Sequence, residues 1–418
     1  MKKLTFKLLP LAISCLLPFS SAAELNNFTP MGYVKWGSIY SNNKDRNDGK
    51  GKLDDVIRAS GGIGNYRLGN EMNWWEGGFK TDLWQKDETV FDFTWYIGSG
   101  ESWSDVGTLQ TWASACNLFA TQPEAKVWIG KRFYRRHEVH MIDVKFWDVS
   151  DNGIGVENVD VGFAKAHFAW MAPESSADER ALHNLDLRLS DISLGKDADL
   201  TLGANYLFNQ NRRYEEQDAT TRGAMLSAVY RQAWSMGSNT LAFQYGRDAL
   251  AGGLMSAEGA SDVKYSTGID HDGYSWRLFN FGELNFNDDF AAMYSVAYQD
   301  LHLDNQRGMK WFSAGIRPQY SWNHLMATAL ELGYESVDAQ NDAGTNSLYK
   351  VTLAQILQAG KGVWARPALR LFVTWSDKDT QWERLNANGT RYKYAAPVKT
   401  DTGRVEEVTF GFNFEAWW

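Results

Sequence analysis

The C-terminal residues of the chain alternate between apolar and other side chains. Apolar residues occupy every even position: Val408, Phe410, Phe412, Phe414, Ala416 and Trp418. Because successive side chains of a β-strand point to opposite faces, this period of two predicts a strand with one apolar face. In a water-soluble protein that face would line a core, whereas in a membrane barrel it would meet lipid and the polar face would line a lumen.

Similar alternation recurs along the chain. It is clearest at 89–97, where Phe91, Phe93, Trp95 and Ile97 alternate with Asp92, Thr94 and Tyr96, and weaker segments at 199–208 and 321–334 also predict strands. After residue 23, no apolar run approaches the roughly 18 residues of a membrane-spanning helix. A membrane protein of this sequence is therefore expected to be a closed β-barrel, while a soluble β-sandwich and a β-helix are the alternatives.

The composition favours the barrel. The chain holds 19 Trp, 18 Tyr and 22 Phe, which suits the aromatic girdles of a membrane barrel. Its overall polarity argues against a large dry core and agrees with a polar lumen. Residues 24–418 contain no linker-like tract, so we expect a single porin β-barrel with room for roughly 16 to 20 strands.

The N-terminus predicts export. Lys2 and Lys3 precede an apolar run at 8–17 and the small residues 20–23, which is the pattern of a signal peptide cleaved after Ala23. Removing it takes away three lysines and no acid, which changes the formal charge from −9 to −12. Nucleic acid is therefore not an expected partner. Only Cys116 remains in the mature chain, which excludes an internal disulfide.

The stretch 130–150, GKRFYRRHEVHMIDVKFWDVS, has no period of 2 or 3.6. It mixes cations and carboxylates with aromatic rings. Its charged residues are Lys131, Arg132, Arg135, Arg136, Lys145, Glu138, Asp143 and Asp148. Such a surface is able to hydrogen-bond many hydroxyls and to offer ring faces, although charge runs are more often solvated loops.

This stretch closely resembles the inward-folded third loop of the maltoporin family of outer-membrane sugar porins. Further matches follow in the family's order: YRLGNE at 66–71, ENVDVGF at 157–163, YQD at 298–300, GIRP at 315–318, LAQ at 353–355 and the terminal WW. The resemblance implies an antiparallel barrel of 18 strands, a homotrimer in outer-membrane lipid and facilitated diffusion of maltodextrin-type oligosaccharides, with no cofactor.

The resemblance also implies a lane of aromatic residues along the lumen. The matching positions are Tyr33, Trp75, Trp103 and Trp417. Strand parity supports two of them independently: if even positions from 408 to 418 face lipid, Trp417 faces the lumen. The first and last strands of a closed barrel are neighbours, so Tyr33 and Trp417 are predicted to be adjacent. Trp103 matches a loop tryptophan that reaches the neighbouring subunit's entrance.

Charged residues of a polar track are carried over in the same way. They are Lys35, Arg67, Arg136, Glu138, Asp143 and Asp148, with Lys145 at the constriction. Lys35 replaces an arginine of the family, which keeps the charge but loses the planar fork.

The chain departs from the family at several positions. Lys145 replaces a constriction tyrosine, Ser238 and Lys378 align with lane aromatics, and Met72 replaces a disulfide cysteine. Trp375 and Trp382 lie close enough to Lys378 that a register shift would restore one ring. A basic constriction leaves a second hypothesis open: a porin of this family for an anionic sugar or a β-glucoside.

Other chemistry is weaker in the sequence. His137 and His140 are three residues apart in an irregular segment, whereas the zinc-protease helix needs histidines four apart, so no metal site is expected. Glu138 and Asp143 have the residue types of a glycosidase pair, but paired carboxylates are too common to support hydrolysis, so no enzyme is predicted. A secreted carbohydrate-binding protein is the remaining alternative and predicts a water-soluble chain.

Overall fold

A computed structural model describes residues 26–42, 57–70, 73–100, 106–172, 182–209, 219–253, 270–385, 389 and 395–418. The predicted signal peptide lies outside the described residues, and so does Trp103.

The described chain is almost entirely β-structure. Its strands are β1 (Asn26–Ser41), β2 (Trp74–Lys86), β3 (Thr89–Ser99), β4 (Gly107–Cys116), β5 (Lys126–Arg132), β6 (His137–Val139), β7 (Val144–Trp147), β8 (Asp151–Asp160), β9 (Lys165–Met171), β10 (Leu182–Ser193), β11 (Ala198–Asn209), β12 (Arg222–Trp234), β13 (Gly237–Asp248), β14 (Gly273–Asn285), β15 (Phe290–Leu303), β16 (Met309–Ser321), β17 (Met326–Ala339), β18 (Thr345–Gln358), β19 (Ala368–Arg384) and β20 (Pro397–Trp417). A short helix, α1, spans Ala249–Gly253. In the described residues, no helix combines the length and hydropathy needed to cross a membrane.

Eighteen of these strands form one closed antiparallel sheet. Each barrel strand pairs with the next along the chain; β5 skips the β6/β7 hairpin to pair with β8, and β1 pairs with β20. Closure satisfies every strand edge, which a barrel in lipid requires. The predicted 18-stranded antiparallel barrel is confirmed.

Side chains alternate between two faces of the wall. In β19, Leu369, Leu371 and Val373 are exposed, whereas Arg370 and Thr374 are buried. In β20 the even positions Phe410, Phe412 and Phe414 are exposed as the sequence predicted. The exposed apolar face is the outward one, because the polar face meets chain segments enclosed by the barrel.

One predicted strand is wrong in its bounds. The segment 321–334 contains the end of β16, a turn and the first part of β17. Asn323 causes the break, because its side-chain oxygen accepts hydrogen bonds from the backbone N–H groups of Leu325 and Met326 at 2.8 and 2.9 Å. A side chain bonded to the backbone in this way favours a turn over a strand.

Two inner segments, 57–70 and 133–150, pack against the inward face of the wall. Within 133–150, β6 and β7 form a hairpin around a 3₁₀ turn at His140–Ile142. Trp147 donates to Asn205 on β11 at 3.1 Å, and Arg188 on β10 donates to the carbonyl of Arg135 at 2.7 Å. Arg277 on β14 donates to the carbonyl of Phe146. These contacts hold the segment away from the outer surface.

Segment 57–70 lies between the hairpin and strands β16 to β19. The hydroxyl of Tyr66 bonds the carbonyls of Ala314 and Tyr334 at 2.6 and 2.9 Å. A Cβ added at Gly315 or Gly333 would lie 2.4 Å from the Tyr66 ring, so glycine is needed where this ring meets the wall. The inner segments are therefore packed against each other and the wall as a single layer.

Candidate functional site

The densest polar group on the inward wall surrounds Glu415 of β20. Its carboxylate accepts hydrogen bonds from the Tyr33 hydroxyl at 2.9 Å and from Arg67 at 3.0 Å. Arg366 and Arg370 each donate to the other oxygen at 2.8 Å. We call Glu415, Tyr33, Arg67, Arg366 and Arg370 the Glu415 cluster. Three guanidinium groups compensate for the cost of burying one carboxylate.

Arg67 links this cluster to the hairpin. It donates to the Tyr33 hydroxyl and lies 3.4 Å from the carboxylate of Asp143. Asp143 adopts the left-handed conformation that ends the 3₁₀ turn, and 34% of its side chain is exposed. Burial raises the pKa of Asp143, but the charges of Arg67, Lys145 and Lys35 outweigh it, so the pKa lies below its ordinary value.

Tyr33 and Trp417 lie side by side, as predicted. They are paired residues in the β1–β20 ladder, and paired residues of antiparallel strands point to the same face. The guanidinium carbon of Arg366 lies 4.4 Å from the centre of the Trp417 ring. Trp417 has 40% of its surface exposed. An exposed ring therefore adjoins hydrogen-bonding groups.

The prediction for Trp75 is wrong by one residue. Trp75 pairs with Val34, which is on the outward parity of β1, whereas Trp74 pairs with the inward residue Lys35. The indole N–H of Trp74 donates to Glu76 at 2.6 Å, two residues along the same face. Sequence alignment cannot choose between adjacent tryptophans, but strand register does, because a shift of one residue reverses the face.

Polar residues of the hairpin line the rim of the cluster. The carboxylate of Glu138 lies 3.8 Å from His140 Nδ1, and 45% of its side chain is exposed. The hydrogen bond from His140, with the charges of Lys145 and Arg67, holds the pKa of Glu138 below its ordinary value. Lys145 lies close enough to act on both Glu138 and Asp143.

Besides Arg67, two predicted track residues are buried. Lys35 is 6% exposed and is paired in register with Glu415, so it adjoins the cluster from within the wall. Asp148 is 5% exposed and accepts hydrogen bonds from the backbone N–H and hydroxyl of Ser150. Its bonds close a local turn, and its assignment to the polar track stays a prediction.

Trp364 was not among the residues predicted from the sequence. It lies in the 359–367 connection between β18 and β19, is 44% exposed, and its ring centre lies 4.9 Å from that of His140. Its indole N–H donates to Glu283. Trp375 and Trp382, the alternatives near Lys378, do not supply a lane ring. Trp375 is on the outward face, and Trp382 is buried against Gly61. The signal in the sequence was a tryptophan two residues before Arg366 in a long connection between strands.

Comparison with known proteins agrees with this geometry. A family model described as LamB porin matches residues 28–418. Among solved structures, Salmonella typhi OmpF in complex with daunomycin is similar at 7% identity, with 93% of this chain and 97% of that chain covered and a TM-score of 0.51.

Two further solved structures match at lower TM-scores. Pseudomonas aeruginosa OccK10 (OpdN) is 9% identical, with 92% of this chain and 97% of that chain covered and a TM-score of 0.47. The trimer form of Vibrio cholerae OmpT is 9% identical, with coverages of 94% and 99% and a TM-score of 0.43. At such identities the OmpF likeness shows the porin fold alone.

Proposed function

Because this chain belongs to the LamB porin family and is a multi-pass β-barrel of the outer membrane, we propose that it is a sugar porin. Oligosaccharides of the maltodextrin type diffuse through its lumen along exposed aromatic rings and an adjoining polar track. The family and fold indicate a channel rather than an enzyme.

The observation that carries this proposal is the contact of exposed rings with the Glu415 cluster. Trp417 and Tyr33 are neighbours on the inward face, and Arg67 joins Tyr33 to Asp143. Pyranose rings have apolar faces that stack on aromatic rings and hydroxyls that exchange hydrogen bonds with charged groups. One wall of the lumen offers both.

The rings form a series rather than one pocket. Trp74, Tyr33 and Trp417 occupy inward positions on β2, β1 and β20, and Trp364 adds a fourth ring beside His140. Several weak contacts in sequence suit transport, because each must capture the sugar and then release it. Trp103, which the described residues do not include, is proposed as a further ring at the entrance.

Three copies of the chain are proposed to assemble in the membrane, as the family resemblance implies. The outward face supports a membrane setting through exposed residues such as Leu371 and Phe412. This face argues against a secreted, water-soluble carbohydrate-binding protein. A heat-modifiable, detergent-requiring trimer in an electrophoresis gel is the expected result, and a detergent-free monomer would contradict it.

The proposal is tested by sugar block of ion current through the purified channel in a planar bilayer. Maltotriose is expected to block the current, and Trp417→Ala to raise the half-blocking concentration about three- to tenfold, the scale of one aromatic contact. Trp375→Ala is the matched control, because Trp375 is outward and similarly exposed. Absence of block in the unmodified channel, or equal effects of both substitutions, would refute the proposal.

A further inference from the structure

Two cations of the hairpin region have side chains that reach solvent. Arg136 is exposed and Lys145 is partly exposed. Within the described residues, neither forms an ion pair within 4 Å. The guanidinium carbon of Arg136 lies 3.7 Å from the centre of the Phe133 ring. Both charges are thus available to a solute in the lumen.

Two neighbouring arginines are already bound to carboxylates. Arg132 lies 2.6 Å from Glu157, and Arg188 lies 2.7 Å from Asp186. Both pairs join residues of the wall itself. An anion entering the lumen would have to displace these bonds, whereas it would displace only water from Arg136 and Lys145.

Carboxylates adjoin Lys145 without contacting it. Glu138 and Asp143 lie near enough to feel its charge, but Asp143 is bonded to Arg67 and Glu138 interacts with His140. Lys145 therefore keeps its three N–H donors for other partners.

We propose that this channel selects oligosaccharides that carry an anionic substituent, with Arg136 and Lys145 as the residues that recognise it. The inference rests on the proposed sugar porin and names its substrate class. Stacking on Phe133 fixes the plane of the Arg136 guanidinium, which leaves its N–H edge for two oxygens of a carboxylate or sulfate. Lys145 supplies a second point charge across the hairpin.

The test compares sugars of one skeleton with and without charge. Trigalacturonate is measured against its neutral methyl ester, and lactose 3′-sulfate against lactose, as blockers at 0.1 M KCl. The charged member of a pair is expected to block at a concentration about three- to tenfold lower, as for exposed ion pairs. The difference should shrink in 1 M KCl, where the Debye length falls to about 3 Å.

Substitution assigns the effect to the two residues. Arg136→Gln with Lys145→Gln is expected to abolish the difference, while Lys131→Gln, which removes one positive charge at an outward position paired with Thr111, retains it. Preference for trigalacturonate alone supports a carboxylate, and preference for lactose 3′-sulfate alone supports a sulfate.

Maltotriose separates this inference from the proposed function. If maltotriose blocks the current but neither charged sugar is preferred, the inference fails and the sugar porin stands. If the preference survives the double substitution, Arg136 and Lys145 are not its source and the inference is also wrong. If no sugar blocks, the proposed function itself fails.

Discussion

Two buried carboxylates of the inward wall, Glu331 and Glu415, have similar partners and different surroundings. Glu331 bonds Arg317 at 2.9 Å and Lys350 at 2.9 Å; we call these three residues the Glu331 cluster. The Glu331 cluster contacts segment 57–70 through Leu68, and the Glu415 cluster contacts it through Arg67.

The difference lies in what covers each group. Lys350 and Glu331 have no exposed side-chain surface, and Lys350 also donates to the carbonyl of Leu68 and to Thr352. The Glu415 cluster instead adjoins the exposed Trp417 and the partly exposed Asp143. The same pairing of charges is therefore sealed at Glu331 and borders exposed side chains at Glu415.

The largest effect is expected at the sealed cluster. Lys350→Met leaves Glu331 and the Leu68 carbonyl without their ammonium partner, and should lower the free energy of unfolding by about 3–5 kcal/mol. Urea denaturation of the folded barrel in detergent measures this change. Lys361→Met removes an exposed pair with Asp289 and should leave the free energy of unfolding nearly unchanged. Equal losses would erase the distinction between sealed and open pairs.

A smaller loss is expected where Tyr66 meets the wall next to the sealed cluster. Gly333→Ala places a Cβ 2.4 Å from the Tyr66 ring, and overpacking of this kind costs about 1–3 kcal/mol. Gly77→Ala is the control, because no atom lies within 4 Å of its added Cβ. The same denaturation assay should show a lower midpoint for Gly333→Ala only. An unchanged midpoint would mean that segment 57–70 shifts to accommodate the added methyl group without loss of stability.

At the open cluster, a conservative change should alter sugar block more than stability. Arg67→Lys keeps the charge but cannot reach Tyr33, Glu415 and Asp143 together. Losing one charged hydrogen bond to the sugar site should raise the half-blocking maltotriose concentration about tenfold. The change in unfolding free energy should stay below that of Lys350→Met. Arg404→Lys, at the exposed pair with Asp377, should leave the block unchanged, and an effect there would contradict this view.

The smallest effect concerns pH. Burial lowers the pKa of His140 below its ordinary value and that of His137 to about 2, so both are neutral at neutral pH. The lowered pKa of Asp143 means that its bond to Arg67 is fully present above about pH 4 and is lost as pH falls further. Sugar block should be constant from pH 8 to 5 and weaken below about pH 4.

Asp143→Asn tests the assignment of that pH dependence. Maltotriose should block the variant more weakly at neutral pH. Acidification should cause no further loss of block, because residue 143 then has no carboxylate to protonate. A step near pH 6 in the unmodified channel would show that a histidine titrates instead, and the description of the hairpin would need revision.

Much of this molecule was predictable from local pattern. Alternation at 408–418 predicted which residues of β20 face outward, and closure of the barrel predicted that Tyr33 and Trp417 adjoin. These inferences hold because strand parity is a local property with a period of two. The resemblance at 130–150 supplied the third-loop residues, of which Asp143 joins Arg67.

The strand register and the contacts of individual side chains were not predictable from the sequence. The sequence offers Trp74 and Trp75 equally, and only pairing with β1 assigns Trp74 to the inward face. Asp148 has the residue type of a track residue but bonds to Ser150. Trp364 lies in a connection with no periodic pattern, so nothing local indicates that it reaches His140.

The sequence by itself determined strands with one apolar face, since this follows from the order of side chains along each strand, and the resemblance at 130–150 added the closed barrel. The tertiary structure decided which carboxylate is sealed and which borders the lumen. Glu331 and Glu415 are each surrounded by cations, but their contacts span 19 and 348 residues of sequence to Lys350 and Arg67. The first contact joins the neighbouring strands β17 and β18, whereas the second arises only when segment 57–70 packs against the wall.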